Sequence, residues 1–147
     1  MDMLENQKVV MKDKHILLAS KYLKHAKIVI YFFSASWAEN TRDLVDKLKV
    51  LYEENRKRNT KMEIIYVSAD SEEMHFQKDF SRQGPWAAIP FKNNTADILR
   101  WRYDITCLPQ IVVVKKEDGS IISRRGKDEL EKLGINVIVT WTEYIQT

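Results

Sequence analysis

Residues Ile30–Leu44 read IYFFSASWAENTRDL. An apolar run ends in a turn of small residues, a tryptophan follows, and the chain then takes on a helical pattern. Ile28–Phe33, IVIYFF, is continuous, β-branched and aromatic. A run with no polar face predicts a central strand covered on both sides. From Arg42 to about Arg58 the apolar residues fall at Leu44, Val45, Leu48, Leu51 and Tyr52, a helical spacing with one buried stripe. The charged EENRKRNTK that follows reads as the solvated end of this helix. Met62–Ser68, MEIIYVS, is a second buried strand. Strand, long helix and strand make a βαβ unit, so the two strands should be parallel with a right-handed crossover. At the helix start, SWAE has the form of a capping box, with Ser36 as N-cap and Glu39 at the third helical position. Glu39 would then sit at the positive end of the helix dipole, and such a cap contributes about 1 kcal/mol.

Outward from this unit, Val9–Lys12 is a short edge-strand candidate and His15–Leu23 a short amphipathic helix. Asp70 or Ser71 is placed to cap a helix over Glu72–Arg82. QGPWAAIPF is irregular, and Thr95–Tyr103 is helical. Gln110–Lys115 is a strand, the Asp118–Gly119 pair marks a hairpin turn, and Ile121–Ser123 should return antiparallel. Lys127–Leu133 is a helix ended by Gly134, and Asn136–Tyr144 is read as a last helix. The sum is an α/β chain, a single domain over 1–147, with a mixed sheet between helical layers.

Composition narrows the function classes. The chain has 147 residues, suited to one core. Its net charge of +3 makes no case for a nucleic-acid partner. The single cysteine, Cys107, excludes an intramolecular disulfide and fits a reducing compartment. The N-terminal residues lack an apolar signal-type core, and no window approaches ~18 consecutive apolar residues, so no membrane association is expected. His15, His25 and His75 have no metal-ligand spacing and read as surface residues, so neither metal nor cofactor is expected.

VIYFFSASW, IIYVSAD, PWAAIPF, LRWRYDITCLPQIVVV and KEDGSII follow one another between about residues 28 and 125. Together they resemble the thioredoxin superfamily, specifically its tryparedoxin and nucleoredoxin branch, and most of all the nucleoredoxin-like proteins. The resemblance implies a thioredoxin fold and a site between two loops. One loop is Trp37, Ala38, Glu39, Asn40, Thr41 and Arg42 at the helix start. The other is Cys107, Leu108 and Pro109, where the family carries a cis proline that frees the Leu108 backbone for an extended peptide. Trp86 is expected to wall the groove beside Trp37, while Trp101 and Trp141 are expected in the core or packed between helices.

The family places cysteines at the positions of Ala38 and Thr41. Dithiol exchange needs an attacking thiolate and a resolving thiol, and a helix N-terminus activates the first. A methyl group and a hydroxyl do neither, so oxidoreductase activity is not expected. One reading of the start of this helix is therefore structural, a well-capped helix and nothing more. The leading functional reading is a non-enzymatic, cytoplasmic (or also nuclear) module that binds an extended peptide or protein, with the resemblance implying redox homeostasis or neuronal and photoreceptor maintenance. A second is a monothiol protein acting through Cys107, which is otherwise a half-buried space filler. A third is an oxidoreductase whose two cysteines were replaced by design.

Overall fold

The computed structural model describes Leu4 and residues 6–145. Four helices on one face of a sheet and two on the other enclose strand β3 (Ile28–Ser34), whose seven residues are all buried. Its partners are β4 (Met62–Ser68), parallel and in register from Ile28↔Met62 to Ser34↔Ser68, and β6 (Gln110–Lys115), antiparallel from Ile28↔Lys115 to Phe33↔Gln110. Alternation along the strand then divides the core. Ile28, Ile30 and Phe32 point to one side, with Leu44, Leu48, Leu51 and Tyr52 of α2 (Thr41–Arg58). Val29, Tyr31 and Phe33 point to the other, with Ala19, Leu99 and Tyr103. Burial of each such side chain contributes about 1.5–3 kcal/mol. This one strand therefore anchors both layers of a thioredoxin fold.

The seven strands are ordered β2-β1-β5-β4-β3-β6-β7. β1 (Lys8–Val10) is not the edge. The edge is β2 (Ile16–Leu18), in register with β1 from Lys8↔Leu18 to Val10↔Ile16. Only α1 (Ala19–Tyr22) remains of the helix expected over His15–Leu23. The four consecutive apolar residues Ile16–Ala19 suit either state, and the preceding turn decides. Lys14 takes φ 73°, and the Asp13 carboxylate accepts the His15 N–H at 2.9 Å, which folds the chain back on β1. β5 (Ala87–Ala88), within the segment read as irregular, joins this hairpin to the central unit by pairing with both β1 and β4.

The remaining helices follow the sequence pattern within a residue or two. They are α3 (Glu73–Ser81), α4 (Asn94–Arg102), α5 (Gly126–Leu133) and α6 (Val137–Thr142), and short 3-10 turns flank α6. β7 (Ile121–Ser123) returns antiparallel to β6 through a bulge at Val113/Val114. Gly126 lets α5 approach β6, since a Cβ there would lie 2.6 Å from Ile111 Cγ2.

Two tryptophans depart from expectation. Trp86 is fully buried: its indole N–H donates to Gln83 Oε1 at 3.0 Å and its ring meets Tyr52 edge-on at 5.6 Å. It belongs to the core on the α2 side and cannot wall a surface groove. Trp101 is 85% exposed, because α4 turns Thr95 and Leu99 inward and leaves Trp101 on the outer face. Trp141 is buried as expected, its indole N–H on Glu129 Oε1 at 3.0 Å. Trp86→Ala should therefore destabilise the protein by about 3–5 kcal/mol in urea unfolding, and Trp101→Ala by less than about 0.5 kcal/mol. Equal losses would contradict this placement.

Candidate functional site

The register of β3 brings the two candidate loops together. β3 ends at Ser34, level with Gln110 where β6 begins. The segment Trp37–Arg42 leaves the sheet at the end where Cys107–Pro109 enters it. The Leu108–Pro109 bond is cis. Leu108 lies just outside the β3–β6 ladder, and neither its N–H nor its C=O has a hydrogen-bond partner among the described residues. Trp37 is 65% exposed, Glu39, Asn40 and Arg42 are exposed, and Ala38, Thr41, Leu108 and Pro109 are half-buried. Trp86, in the core, is not part of this surface.

The start of α2 corrects the capping-box reading. The helix begins at Thr41, its N-cap is Asn40 in the left-handed region (φ 59°, ψ 32°), and no side chain caps it. Ser36 is engaged elsewhere. Its N–H donates to Asp70 at 3.0 Å and 3.2 Å, and its hydroxyl donates to the same carboxylate at 2.6 Å. Glu39 lies before the helix, on the exposed turn. Asp70 correspondingly caps nothing: α3 has Glu72 as N-cap, without a side-chain bond. Asp70 also accepts the Ser68 hydroxyl at 3.0 Å. Ala69 N–H donates to Ser34 C=O at 2.9 Å, and Arg100 Nη1 to Ser68 C=O at 2.9 Å. The loop after β4 thus holds the loop after β3 from beneath, a role that SAD and SASW do not reveal separately because they lie far apart in the chain.

Cys107 is exposed rather than half-buried, and its Sγ lies 3.8 Å from Gln110 Oε1. No second thiol exists in the chain. No cluster of His, Cys, Asp or Glu that could hold a metal occurs among the described residues. His15, His25 and His75 are exposed, as expected. Among the described residues, no helix is long and apolar enough to cross a membrane.

A cleft of about 620 Å³ flanks the helix start on the α3 side, with Thr41, Arg42, Asp46, Asp79 and Arg82 in its wall. Asp79 accepts the Tyr66 hydroxyl and a 3.5 Å bond from Gln83 Nε2. Burial pushes its carboxyl above the usual range, while the Tyr66 hydrogen bond pulls it back. Burial and the Asp79 charge raise the Tyr66 phenol in turn.

Two outcomes follow from these contacts. Asp70→Ala removes the acceptor for three donors, so it should cost about 1–2 kcal/mol in denaturant unfolding and speed amide exchange at Ser36; unchanged exchange would mean that Asp70 does not hold the loop. For Asp79 the folded state binds its proton more tightly than the unfolded chain, so its contribution to stability falls as pH rises from about 4 through the raised folded value. The stability of Asp79→Asn relative to wild type should therefore increase from about pH 4 to pH 7, and a constant difference would contradict the shift.

The comparisons with known proteins agree with this fold. A family model described as thioredoxin-like matches residues 26–121. Human nucleoredoxin-like protein 1 is 30% identical over 125 residues, covering 80% of this chain and 58% of that protein. The structure of Carcinoscorpius rotundicauda thioredoxin related protein 16 is similar at 34% identity and TM-score 0.79, covering 96% of this chain and 99% of that one. Tryparedoxin I of Crithidia fasciculata is similar at 25% identity and TM-score 0.76, covering 90% and 88%. The chain spans only 24% of a probable nucleoredoxin 3 of Arabidopsis thaliana and 26% of bovine nucleoredoxin. On the matched residues, the sheet order and these likenesses, the chain belongs to the thioredoxin-like family, in its nucleoredoxin and tryparedoxin branch.

Proposed function

We propose that this is a redox-inactive member of the family, a module that binds an extended peptide or protein on the surface where its relatives carry a dithiol. The observation that carries the reading is the pairing of a sulfur-free helix start, Ala38 and Thr41, with a neighbouring Leu108 whose backbone N–H and C=O are unpaired. A peptide in extended conformation would add to Leu108 by strand-type hydrogen bonds, as in β-augmentation. Trp37 supplies the exposed aromatic area on which interfaces rely. Glu39 and Arg42, at the rim, would tune specificity more than affinity. The Carcinoscorpius protein is described as having a role in regulating transcription factor NF-kB activity; a regulatory protein partner for this chain is a role of the same kind. We place that role in the cytoplasm or nucleus, within redox homeostasis or neuronal and photoreceptor maintenance.

The exposure of Cys107 supports a second reading, a monothiol role. Its thiolate would attack glutathione disulfide, forming a Cys107–glutathione mixed disulfide and releasing one glutathione thiolate. No resolving cysteine is present, so a second glutathione would have to reverse the step.

Insulin reduction with dithiothreitol separates these readings from dithiol catalysis. The wild type should show no turnover above background, while the Ala38→Cys, Thr41→Cys double variant should gain it. Turnover by wild type that survives Cys107→Ser would overturn redox inactivity. For binding, a partner recovered by pull-down should bind Trp37→Ala at least about ten-fold more weakly, the loss of an aromatic anchor, and Lys57→Ala as well as wild type. Full binding by both variants would mean that this face is not the interface.

A further inference from the structure

The sheet register that places the candidate site also builds its opposite pole. β3 and β4 both begin there, and β6 ends there. Ile28 is level with Met62 on one side and with Lys115 on the other. One step earlier, Lys27 is therefore level with Lys61 and Lys116. Backbone bonds fix the row: Lys27 N–H donates to Lys61 C=O at 2.7 Å, and Lys116 N–H to Lys27 C=O at 3.0 Å. Lys24, His25 and Lys115 complete the basic wall of a cleft of about 700 Å³. Five lysines face one carboxylate there, Glu117, a net of four positive charges. That exceeds the +3 of the whole chain, so the rest of the molecule is close to neutral.

Like charges level with one another on neighbouring strands repel; of the three, Lys116 also donates its ammonium to Leu23 C=O at 3.3 Å. Lys61 also holds a left-handed backbone, φ 62°, which is costly for such a residue; Asn59, at φ 53°, is the C-cap of α2. A second observation points to a ligand. An adjoining cleft shares His25, Ala26, Asn59 and Lys61 with the first and is lined by Asn55. Asn55 is 3% exposed; its Oδ1 accepts the Thr60 hydroxyl, and its Nδ2 has no partner. A buried, unsatisfied donor beside a lysine row calls for an acceptor oxygen. At the charged end of α2, Arg58 pairs with Glu54 at 2.8 Å, while Arg56 lies over the Tyr52 ring, keeps its charge and lines the adjoining cleft.

We propose that this pole is an anion site for a compact polyphosphate group, with Lys27, Lys61 and Lys116 spanning neighbouring phosphates and Asn55 Nδ2 donating to a phosphate oxygen. The chemistry suits a free polyphosphate or the multiply phosphorylated headgroup of a lipid equally.

The probe is inorganic tripolyphosphate, titrated into the full chain at low ionic strength by calorimetry and by amide NMR. Shifts should concentrate at Lys27, Lys61, Lys116 and the Asn55 side-chain amide. Tripolyphosphate should bind at least about ten-fold more tightly than orthophosphate, and added salt should weaken it. Lys27→Gln with Lys61→Gln should weaken binding about ten-fold or more, while Lys57→Gln, outside the cleft, should not. Without ligand the double variant should melt no lower than wild type, since it loses repulsion and keeps the backbone bonds. Sedimentation with phosphatidylcholine vesicles, with and without a phosphoinositide bisphosphate, separates the sources. Phosphoinositide-dependent sedimentation, displaced by tripolyphosphate, assigns the lipid headgroup; tripolyphosphate binding without sedimentation assigns a free ligand. Shifts elsewhere, equal binding by the double variant, an equal loss in Lys57→Gln, or binding of single-stranded DNA but not tripolyphosphate would each overturn the proposal.

Discussion

The pairing of β3 on both of its edges is the constraint from which the rest of the structure follows. A strand with no polar face must be covered on both sides, and its backbone must be paired on both edges. β4 and β6 meet the second demand, one parallel and one antiparallel. Their registers are coupled through β3, since a slip of one residue would send Ile30 and Phe32 to the wrong core. Both ends of the sheet are thereby set at once. At one end the turn after Ser34 meets the turn before Gln110. At the other, the starts of β3 and β4 meet the finish of β6. The candidate peptide surface and the basic pole are two consequences of one set of strand pairings.

Elements whose apolar pattern admits one interpretation were legible in the sequence. Met62–Ser68 and Gln110–Lys115 were placed to the residue, Ile28–Ser34 and the helix Thr41–Arg58 to within one. Each is long or apolar enough that burial outweighs every local preference. Where local signals competed with a distant partner, the sequence misled. Ser36 and Glu39 carry the spacing of a capping box, yet the Asp70 carboxylate, 34 residues away, takes both Ser36 donors. Ile16–Ala19 could be strand or helix until β1 was there to pair with it. Trp86 and Trp101 could not be sorted by residue type, because both are large and aromatic. Their fates turn on which side of a loop or helix the core lies.

The candidate surface itself was legible only by analogy. Nothing local to Cys107–Pro109 says that it will lie beside Trp37–Arg42; the juxtaposition comes from β3 and β6 running in opposite directions. The resemblance supplied it because homologous chains preserve strand order even where they change chemistry. The lysine pole was invisible for the converse reason. Lys27, Lys61 and Lys116 belong to three windows far apart in the chain, and the resemblance attaches no function to them. Only the registers Ile28↔Met62 and Ile28↔Lys115 put them in one row.

Loss of the two sulfurs changes what the helix start can do without disturbing what holds it in place. The support from below, Ser36 on Asp70 and Ala69 on Ser34, involves neither Ala38 nor Thr41. A thiolate at position 38 would have drawn on the positive end of α2; alanine leaves that end without a side chain to use it, and Asn40 offers no cap in compensation. The site therefore combines open backbone on one side, at Leu108, with an exposed indole on the other, at Trp37. In a dithiol enzyme, partner binding is transient because exchange consumes the mixed disulfide. If a partner binds here as proposed, nothing covalent at Ala38 or Thr41 would terminate the encounter, and residence would be set by Trp37, Leu108 and the rim charges. On the proposed reading, the same scaffold would hold a partner rather than turn one over.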